Sequence, residues 1–356
     1  MIYIAGTLST LLLTYISVHI DQSKYLSYSE GRILKHIFGA LSIMPLAIIS
    51  AVRYNVGTDF SSYCQIYEMS YSKNAYIEQG FLSFMCILHK ISDNPQIFIA
   101  VSSLIICAFY FYSIYKNSCN PVYSVLLFVI IGDYFSSMNV IRQMFAMVIS
   151  LFTIPYIKSR KWLKTFIIIG IAMMIHKSAF IMIFLYFILA LEWKPMTYTT
   201  ALLATFASAG LLKATVLPIL QRLTTYGRFF LKTSRYSKSN IDWASFLIYF
   251  SFFVLMSYKY KAIQKNKNLK LLYSAVWIAL VIVASGIVMP TTVVRLALYM
   301  NPIIAIYVPE LTCLTLRKST RYVINFAIVF LYTLIRIIYL SNGWCGVLPY
   351  RTFWNY

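Results

Sequence analysis

Charge is what this sequence has least of. Of its 356 residues, 12% are charged and only 10 are acidic, whereas 60% are hydrophobic. A soluble globular domain carries about 25% charged residues, so a core folded in water is excluded and lipid is the expected solvent. Long runs that alternate between hydrophobic and polar residues are also missing. This favours α-helices over a β-barrel as the way to satisfy the backbone in a membrane.

Other absences narrow the range of possible functions. The six cysteines form no CxxC pair and no Cys/His spacing, so neither a metal site nor a disulfide framework is predicted. Because acidic residues are so few, a pair of catalytic carboxylates or an acidic Mg²⁺ site is not expected, and we predict no cofactor. The start of the chain lacks a basic segment and a cleavage site, which predicts a retained helix rather than a signal peptide.

What the sequence does have is a series of apolar runs. A straight transmembrane helix needs about 20 residues, and the runs predict an all-α, polytopic bundle of about twelve helices. No linker or internal repeat interrupts it, so residues 1–356 are predicted to form a single transmembrane domain. The run 81–91 is too short to cross and is predicted to be interfacial or re-entrant. The predicted spans are 1–20, 33–52, 97–115, 121–137, 138–157, 162–175, 178–191, 197–217, 242–258, 271–289, 292–311 and 322–340.

The net charge of +21 would suggest nucleic-acid binding in a soluble protein, but here it predicts orientation. Basic clusters at 158–164, 259–270 and 317–321 are expected in the cytoplasm by the positive-inside rule. The periplasmic parts are then 53–80, 218–241 and the tail 341–356. The loop that carries Arg222 and Arg228 is cationic yet falls outside, so these two arginines are candidates for substrate binding.

This orientation brings unusual polar residues to the outer face. They are Arg53 and Asp59, Arg142 and Gln143, His176, Arg295 and Tyr350. An arginine within a membrane costs about 2.5 kcal/mol or more, and the alternative for each is that it snorkels to the interface. An outward cationic cavity suits a diphosphate, because guanidinium groups bind phosphate oxygens in pairs and stay charged.

Two residues are candidates for a general base at this face. His176 lies between apolar stretches, and imidazole suits proton transfer; its alternative role is helix capping or packing. Asp59 follows Gly57, which permits an unusual backbone turn. The alternative role of Asp59 is a salt bridge to Arg53.

Several of these residues fall in strings that resemble a known family. RYNVGTDFSSY, from Arg53 to Tyr63, is similar to the R-x-x-x-G-x-D-[YF]-x-x-Y motif of EpsG-like proteins, which belong to the Wzy-type polysaccharide polymerases. IRQMFAM resembles their R-Q-x-x-A helix, and IHKSAF resembles their H-x-S-A segment. Arg295 with Tyr299, and Pro349 with Tyr350, also occur in the family's order. Phe60 departs from the more common tyrosine, so a hydroxyl there is not required.

The resemblance implies a multi-pass enzyme of the bacterial inner membrane, with a fold related to GT-C-like glycosyltransferases and O-antigen ligases. Its expected partners are the phospholipid bilayer and undecaprenyl-diphosphate-linked oligosaccharides, as donor and acceptor, with a Wzz-type chain-length regulator as a further candidate. It implies metal-independent glycosyl transfer that builds O-antigen or a related polysaccharide in the periplasm. His176, Asp59, Arg142 and Arg295 are the catalytic candidates. The substrate-binding candidates are Arg53, Gln143, Tyr63, Tyr299, Arg222, Arg228 and Tyr350.

Three alternatives stay open at this point. An O-antigen ligase would use the same donor but transfer the finished chain to lipid A core. A flippase for lipid-linked repeats would show repeated halves and broken helices near the midplane. A membrane-bound acyltransferase would use His176 but would leave the arginines unexplained.

Overall fold

A computed structural model describes residues 1–20, 27–70, 77–208, 242–315 and 317–355, with six further positions between 210 and 219. In these residues the regular structure is helical, and one isolated antiparallel bridge joins Arg53 to Thr352. The predicted all-α polytopic class is confirmed. The helices are α1 Ile2–His19, α2 Tyr28–Leu41, α3 Met44–Ala51, α4 Phe60–Glu68, α5 Gln79–His89, α6 Gln96–Asn117, α7 Pro121–Ile131, α8 Asp133–Ser137, α9 Ile141–Ser150, α10 Ile154–Lys158, α11 Trp162–Ile175, α12 Ile181–Leu191, α13 Pro195–Ala207, α14 Trp243–Tyr258, α15 Tyr260–Ile263, α16 Lys267–Ser285, α17 Thr291–Val294, α18 Asn301–Thr315 and α19 Lys318–Ser341.

Six helices in the described part of the chain are long and apolar enough to cross a membrane. They are Ile2–His19, Tyr28–Ala51, Gln96–Asn117, Lys267–Ser285, Thr291–Leu314 and Lys318–Ser341. Five shorter apolar helices accompany them, and each predicted span coincides with helical residues over the positions that the structure describes. The total of about twelve crossings stays a prediction.

Several of the predicted spans are broken rather than continuous in the described residues. Gly132 ends α7 in the left-handed region, with φ of +103°, a conformation that glycine adopts without a steric penalty. A 3₁₀ turn at Leu151–Thr153 and Pro155 at the start of α10 separate α9 from α10. A second 3₁₀ segment, Arg295–Met300, follows α17. Arg295 therefore lies near the beginning of the eleventh span, where 3₁₀ geometry replaces the α-helix.

The chain divides into two compact units, Met1–Phe180 with Ala305–Tyr356, and Ile181–Ile304. In the first unit α6 packs against α3 and α9, α9 packs against α11, and α7 contacts both α1 and α19. In the second unit α16 contacts α12, α13 and α14 and is buried on all sides, as expected for a central apolar helix. The single transmembrane domain expected over 1–356 stays a prediction.

The segment between α3 and α6 leaves and returns at the same end of the first unit. The Gln96 side chain, at the start of α6, donates to the carbonyls of Ala51 (2.7 Å) and Arg53 (3.1 Å). Within the segment, α5 has 11 residues and is about 16 Å long, which is too short to cross. The run 81–91 therefore does not carry the chain to the other side, as expected for an interfacial or re-entrant helix.

The C-terminal tail packs on the loop that follows α3. The Tyr54 amide donates to the Arg351 carbonyl (3.0 Å), and the Phe353 amide donates to the Val52 carbonyl (3.2 Å). Tyr3 at the start of α1 donates its hydroxyl to the Val347 carbonyl (2.9 Å). The start of α1, the loop after α3 and the tail therefore share one end of the first unit.

Candidate functional site

A buried carboxylate joins a histidine and an arginine at this same end of the first unit. Glu78 Oε2 accepts from Arg142 Nη1 at 2.9 Å, and Glu78 Oε1 lies 2.9 Å from His176 Nδ1. The Glu78 side chain is 4% exposed, whereas those of Arg142 and His176 are 22% and 15% exposed. The carboxylate thus lies beneath two basic groups that reach the surface. We call these three residues the Glu78 cluster.

Three helix ends build the cluster. Glu78 is the N-cap residue of α5, Arg142 is the second residue of α9, and His176 directly follows α11. Helix ends leave backbone groups without intrahelical partners, and Glu78 Oε1 also accepts from the Lys177 amide at 3.2 Å. Gly80 allows the start of α5 to pack closely on α11, because a Cβ at position 80 would lie 2.7 Å from the Met174 carbonyl oxygen.

The hydrogen bonds determine which ring nitrogen of His176 can act as a base. An ionised carboxylate only accepts hydrogen bonds, so His176 Nδ1 carries the proton that it shares with Glu78 Oε1. In the neutral ring Nε2 then holds the lone pair, and the carboxylate would stabilise the imidazolium that forms when Nε2 takes up a proton. Arg142 balances the charge of Glu78 from the other oxygen.

Tyr63 supports the arginine from below. Its hydroxyl accepts from the Arg142 backbone amide at 3.3 Å, and so it satisfies one of the amide groups at the start of α9. The Tyr63 side chain is buried, and burial raises the pKa of its phenol. It therefore stays protonated at physiological pH. Gln143, beside Arg142, is also buried.

Asp59 lies on the loop that approaches the beginning of α9. Its backbone amide donates to Asn139 Oδ1 at 3.0 Å, and the Thr58 hydroxyl donates to the same oxygen at 2.5 Å. Gly57 makes this approach possible, because its φ is +104° and a Cβ would lie 2.5 Å from the Met138 carbonyl. The expected unusual turn at Gly57 is thus confirmed, and it fastens Asp59 to the segment that leads to Arg142.

Arg53 is fully buried at the base of the same loop. Its guanidinium donates to Ser50 Oγ and Ser103 Oγ at 2.9 Å and to the Met138 carbonyl at 3.3 Å, and it also bonds the Ser50 carbonyl. Burial lowers its pKa to about 10, so it remains charged at neutral pH. These contacts tie α3 to α6 and to the segment before α9.

We therefore predict that Arg53→Met destabilises the protein more than it affects substrate affinity. Methionine fills the space but leaves the Ser50 hydroxyl and the Ser50 and Met138 carbonyls without the donor that Arg53 supplies, which should cost about 2–4 kcal/mol of unfolding free energy. Chemical denaturation of the purified protein measures this loss. Arg351→Met, at an exposed tail position, is the matched control. A stable Arg53→Met protein with a raised KM would instead indicate direct substrate binding.

The remaining candidates fall into three places. Tyr350 donates its hydroxyl to the Ile49 carbonyl (2.9 Å), and its ring packs edge-on to Tyr3. Arg295 and Tyr299 share the 3₁₀ segment of the second unit, where Arg295 is exposed and Tyr299 is buried. Arg222 and Arg228 lie outside the described residues, as does the segment 218–241 apart from positions 218 and 219.

Two residues of this site were missed by sequence reasoning. Glu78 was overlooked because the acidic residues were judged too few to contribute, and Asn139 because amides carry no charge signal. One cue for Glu78 was available: it lies three residues before the short apolar run 81–91 and within the predicted periplasmic segment 53–80. An acid at that position is a natural partner for arginines that are costly to place in a membrane.

The fold and the Glu78 cluster together define a polytopic helical membrane protein with a basic, carboxylate-supported site at the ends of its helices. The EpsG family model matches residues 36–352, and the chain belongs to the EpsG family. The family predicted from the sequence strings is therefore confirmed, and membership supports a role in polysaccharide biosynthesis. The match includes the Glu78 cluster, Arg53, Arg295 and Tyr350. No curated protein and no solved structure matches the chain.

Proposed function

We propose that this protein is a glycosyltransferase that polymerises lipid-diphosphate-linked oligosaccharide repeats at the outer face of the bacterial inner membrane. The donor is the growing chain on undecaprenyl diphosphate, and the acceptor is the terminal sugar of the next lipid-linked repeat. The product is O-antigen or a related surface polysaccharide. The observation that carries the proposal is the Glu78 cluster, in which one buried carboxylate orients a base and a diphosphate-binding group beside each other.

The direction of two helical segments relative to the basic residues supports the outward orientation of this cluster. α6 begins at Gln96, which bonds the Arg53 carbonyl, and ends near Lys116. Likewise α9 and α10 lead from Arg142 to Lys158, at the first of the basic loops. Basic residues thus lie at the opposite helix ends from the cluster, which supports an outward position for the cluster by the positive-inside rule.

The chemistry requires one bond to form and one to break. The acceptor hydroxyl oxygen attacks the anomeric carbon, and the bond from that carbon to the phosphate oxygen breaks. The lipid diphosphate leaves with the bonding electron pair. His176 Nε2 takes the acceptor proton as general base, and Glu78 stabilises the resulting imidazolium. Asp59 is the second candidate for this proton transfer.

Arginines stabilise the charge that develops on the leaving group. Arg142 would bind the donor diphosphate, and such electrostatic stabilisation is usually the largest catalytic contribution. Arg295 is proposed for the same role, with Arg222 and Arg228 holding the second lipid diphosphate. Arg53 is assigned to positioning the loop.

Arg142→Ala tests the proposal in a strain that lacks the native gene. Loss of the guanidinium should reduce polymerisation about 10²–10³-fold, the usual effect of removing one electrostatic contact to a transition state. Gel analysis of surface polysaccharide should show single repeats and no long chains, at a normal level of membrane protein. Arg32→Ala, at an exposed position on α2, serves as the control. Normal chain length in the Arg142→Ala strain would contradict the proposed diphosphate site.

The deletion strain also separates the polymerase from a ligase. Loss of a polymerase leaves lipopolysaccharide that carries one repeat, whereas loss of a ligase leaves no attached antigen at all. We expect the single-repeat pattern. Complete absence of attached repeats would favour the ligase.

A further inference from the structure

A cleft lies in the first unit at the end away from the Glu78 cluster. It encloses about 670 Å³, within the range of ligand pockets, about 300–1,000 Å³. Its walls come from α1, α2, α6 and the turn Leu151–Thr153. The reaction proposed above uses none of these residues, so the cleft requires a separate explanation.

The cleft forms because α2 and α3 take different paths. α2 and α3 both pack against α1, but only α3, which follows the turn at Ser42 and Ile43, also packs closely against α6. The space between α2 and α6 is lined by the small residues Gly39, Ala40 and Ala108. A hydrogen bond of 3.0 Å between the Ser42 and Tyr115 hydroxyls holds the turn beside α6. The cleft therefore results from the way these helices pack.

Aromatic rings form one wall of the cleft. Phe109 and Phe152 meet edge to face with centroids 5.2 Å apart, and Tyr112 stacks on Phe152 at 5.6 Å. Ring–ring contacts of this kind hold side chains in fixed positions. They leave a continuous apolar surface, which suits a flexible hydrocarbon chain.

The mouth of the cleft is basic. Lys35 and His36 line it, and Lys116 donates to the Tyr112 hydroxyl at 3.0 Å. None of the described residues that line the cleft is acidic. Basic pockets between transmembrane helices at the cytoplasmic surface bind anionic lipid headgroups, and this end of the unit is cytoplasmic in the orientation proposed above.

We propose that the cleft binds one anionic phospholipid from the inner leaflet. An acyl chain lies against Phe109, Tyr112 and Phe152, and the headgroup phosphate lies between the Lys35 and Lys116 ammonium groups, near His36. The lipid fills the gap between α2 and α6 and so stabilises the packing of α2. This site is separate from the polymerisation site, and its occupancy does not depend on the identity of the sugar substrate.

Native mass spectrometry of the delipidated, full-length protein tests the proposal with phosphatidylglycerol and phosphatidylcholine as probes. We expect one phosphatidylglycerol to bind in preference to phosphatidylcholine. Lys35→Gln should weaken phosphatidylglycerol binding about fivefold, the usual effect of one basic residue near an anionic lipid surface. Ala40→Trp should abolish binding by filling the cleft.

Two substitutions on the same helix provide matched controls. Arg32→Gln removes an exposed cation that does not line the cleft, and Ile37→Trp adds the same ring at an exposed position that does not line it. Both should bind phosphatidylglycerol as the wild type does. Equal affinity for the two lipids, or equal losses in the control variants, would overturn the proposal and indicate nonspecific surrounding lipid. If Ala40→Trp does not fold, Lys116→Gln with Lys35→Gln decides the question in the same assay.

Discussion

Glu78→Gln is expected to lower polymer synthesis about 10²–10⁴-fold, although the side chain keeps its shape. One amide cannot serve both neighbours of Glu78. If its NH₂ group faces Arg142, two donors oppose each other; if it faces His176, the ring must accept at Nδ1. Nε2 then carries the proton and has no lone pair for the acceptor hydroxyl. The substitution therefore removes either the diphosphate-binding geometry or the base.

The rate of chain elongation in membranes that contain equal amounts of each variant measures this effect. Glu68→Gln, an exposed position at the end of α4, is the matched control and should behave as the wild type. The thermal unfolding midpoint of Glu78→Gln should fall, because Arg142 loses its buried charged partner, so elongation is compared at a temperature at which both proteins are folded. A folded Glu78→Gln protein with normal elongation would show that the carboxylate has no part in the reaction.

His176→Ala is expected to lower elongation by a comparable factor, about 10²–10⁴-fold, the range for loss of a general base. The rate of elongation in proteoliposomes that contain equal amounts of folded wild-type and variant protein measures this loss.

Added imidazole gives a second readout for His176. A small base that enters the space left by the ring should restore part of the His176→Ala activity and none of the Arg142→Ala activity. A His176→Ala enzyme that keeps the full rate would transfer the role of base to Asp59.

Much of the fold could be predicted because the local composition of the sequence identifies membrane helices. Apolar runs and loop charges gave the positions of the helices, and the short run 81–91 was recognised as unable to cross. The breaks were harder to foresee. Gly132 reads as one small residue in an apolar stretch, and only the packed structure reveals its left-handed backbone.

Part of the site could also be predicted from the sequence. Arg142 and His176 stand out because polar groups in apolar surroundings are costly, and the structure brings both onto Glu78. Arg53 looked equivalent to Arg142 in the sequence, yet it is fully buried among Ser50, Ser103 and Met138. Burial depends on contacts between residues that are distant in sequence, and these contacts cannot be inferred from composition.

Reconstitution of the purified protein with lipid-diphosphate-linked repeats tests the central claim most directly. In proteoliposomes the wild-type protein alone should produce a ladder of joined repeats and release one lipid diphosphate per bond formed, with or without EDTA. Glu78→Gln in the same vesicles should produce almost none. A wild-type protein that moves repeats across the bilayer without joining them, or a Glu78→Gln protein that gives the full ladder, would contradict the account.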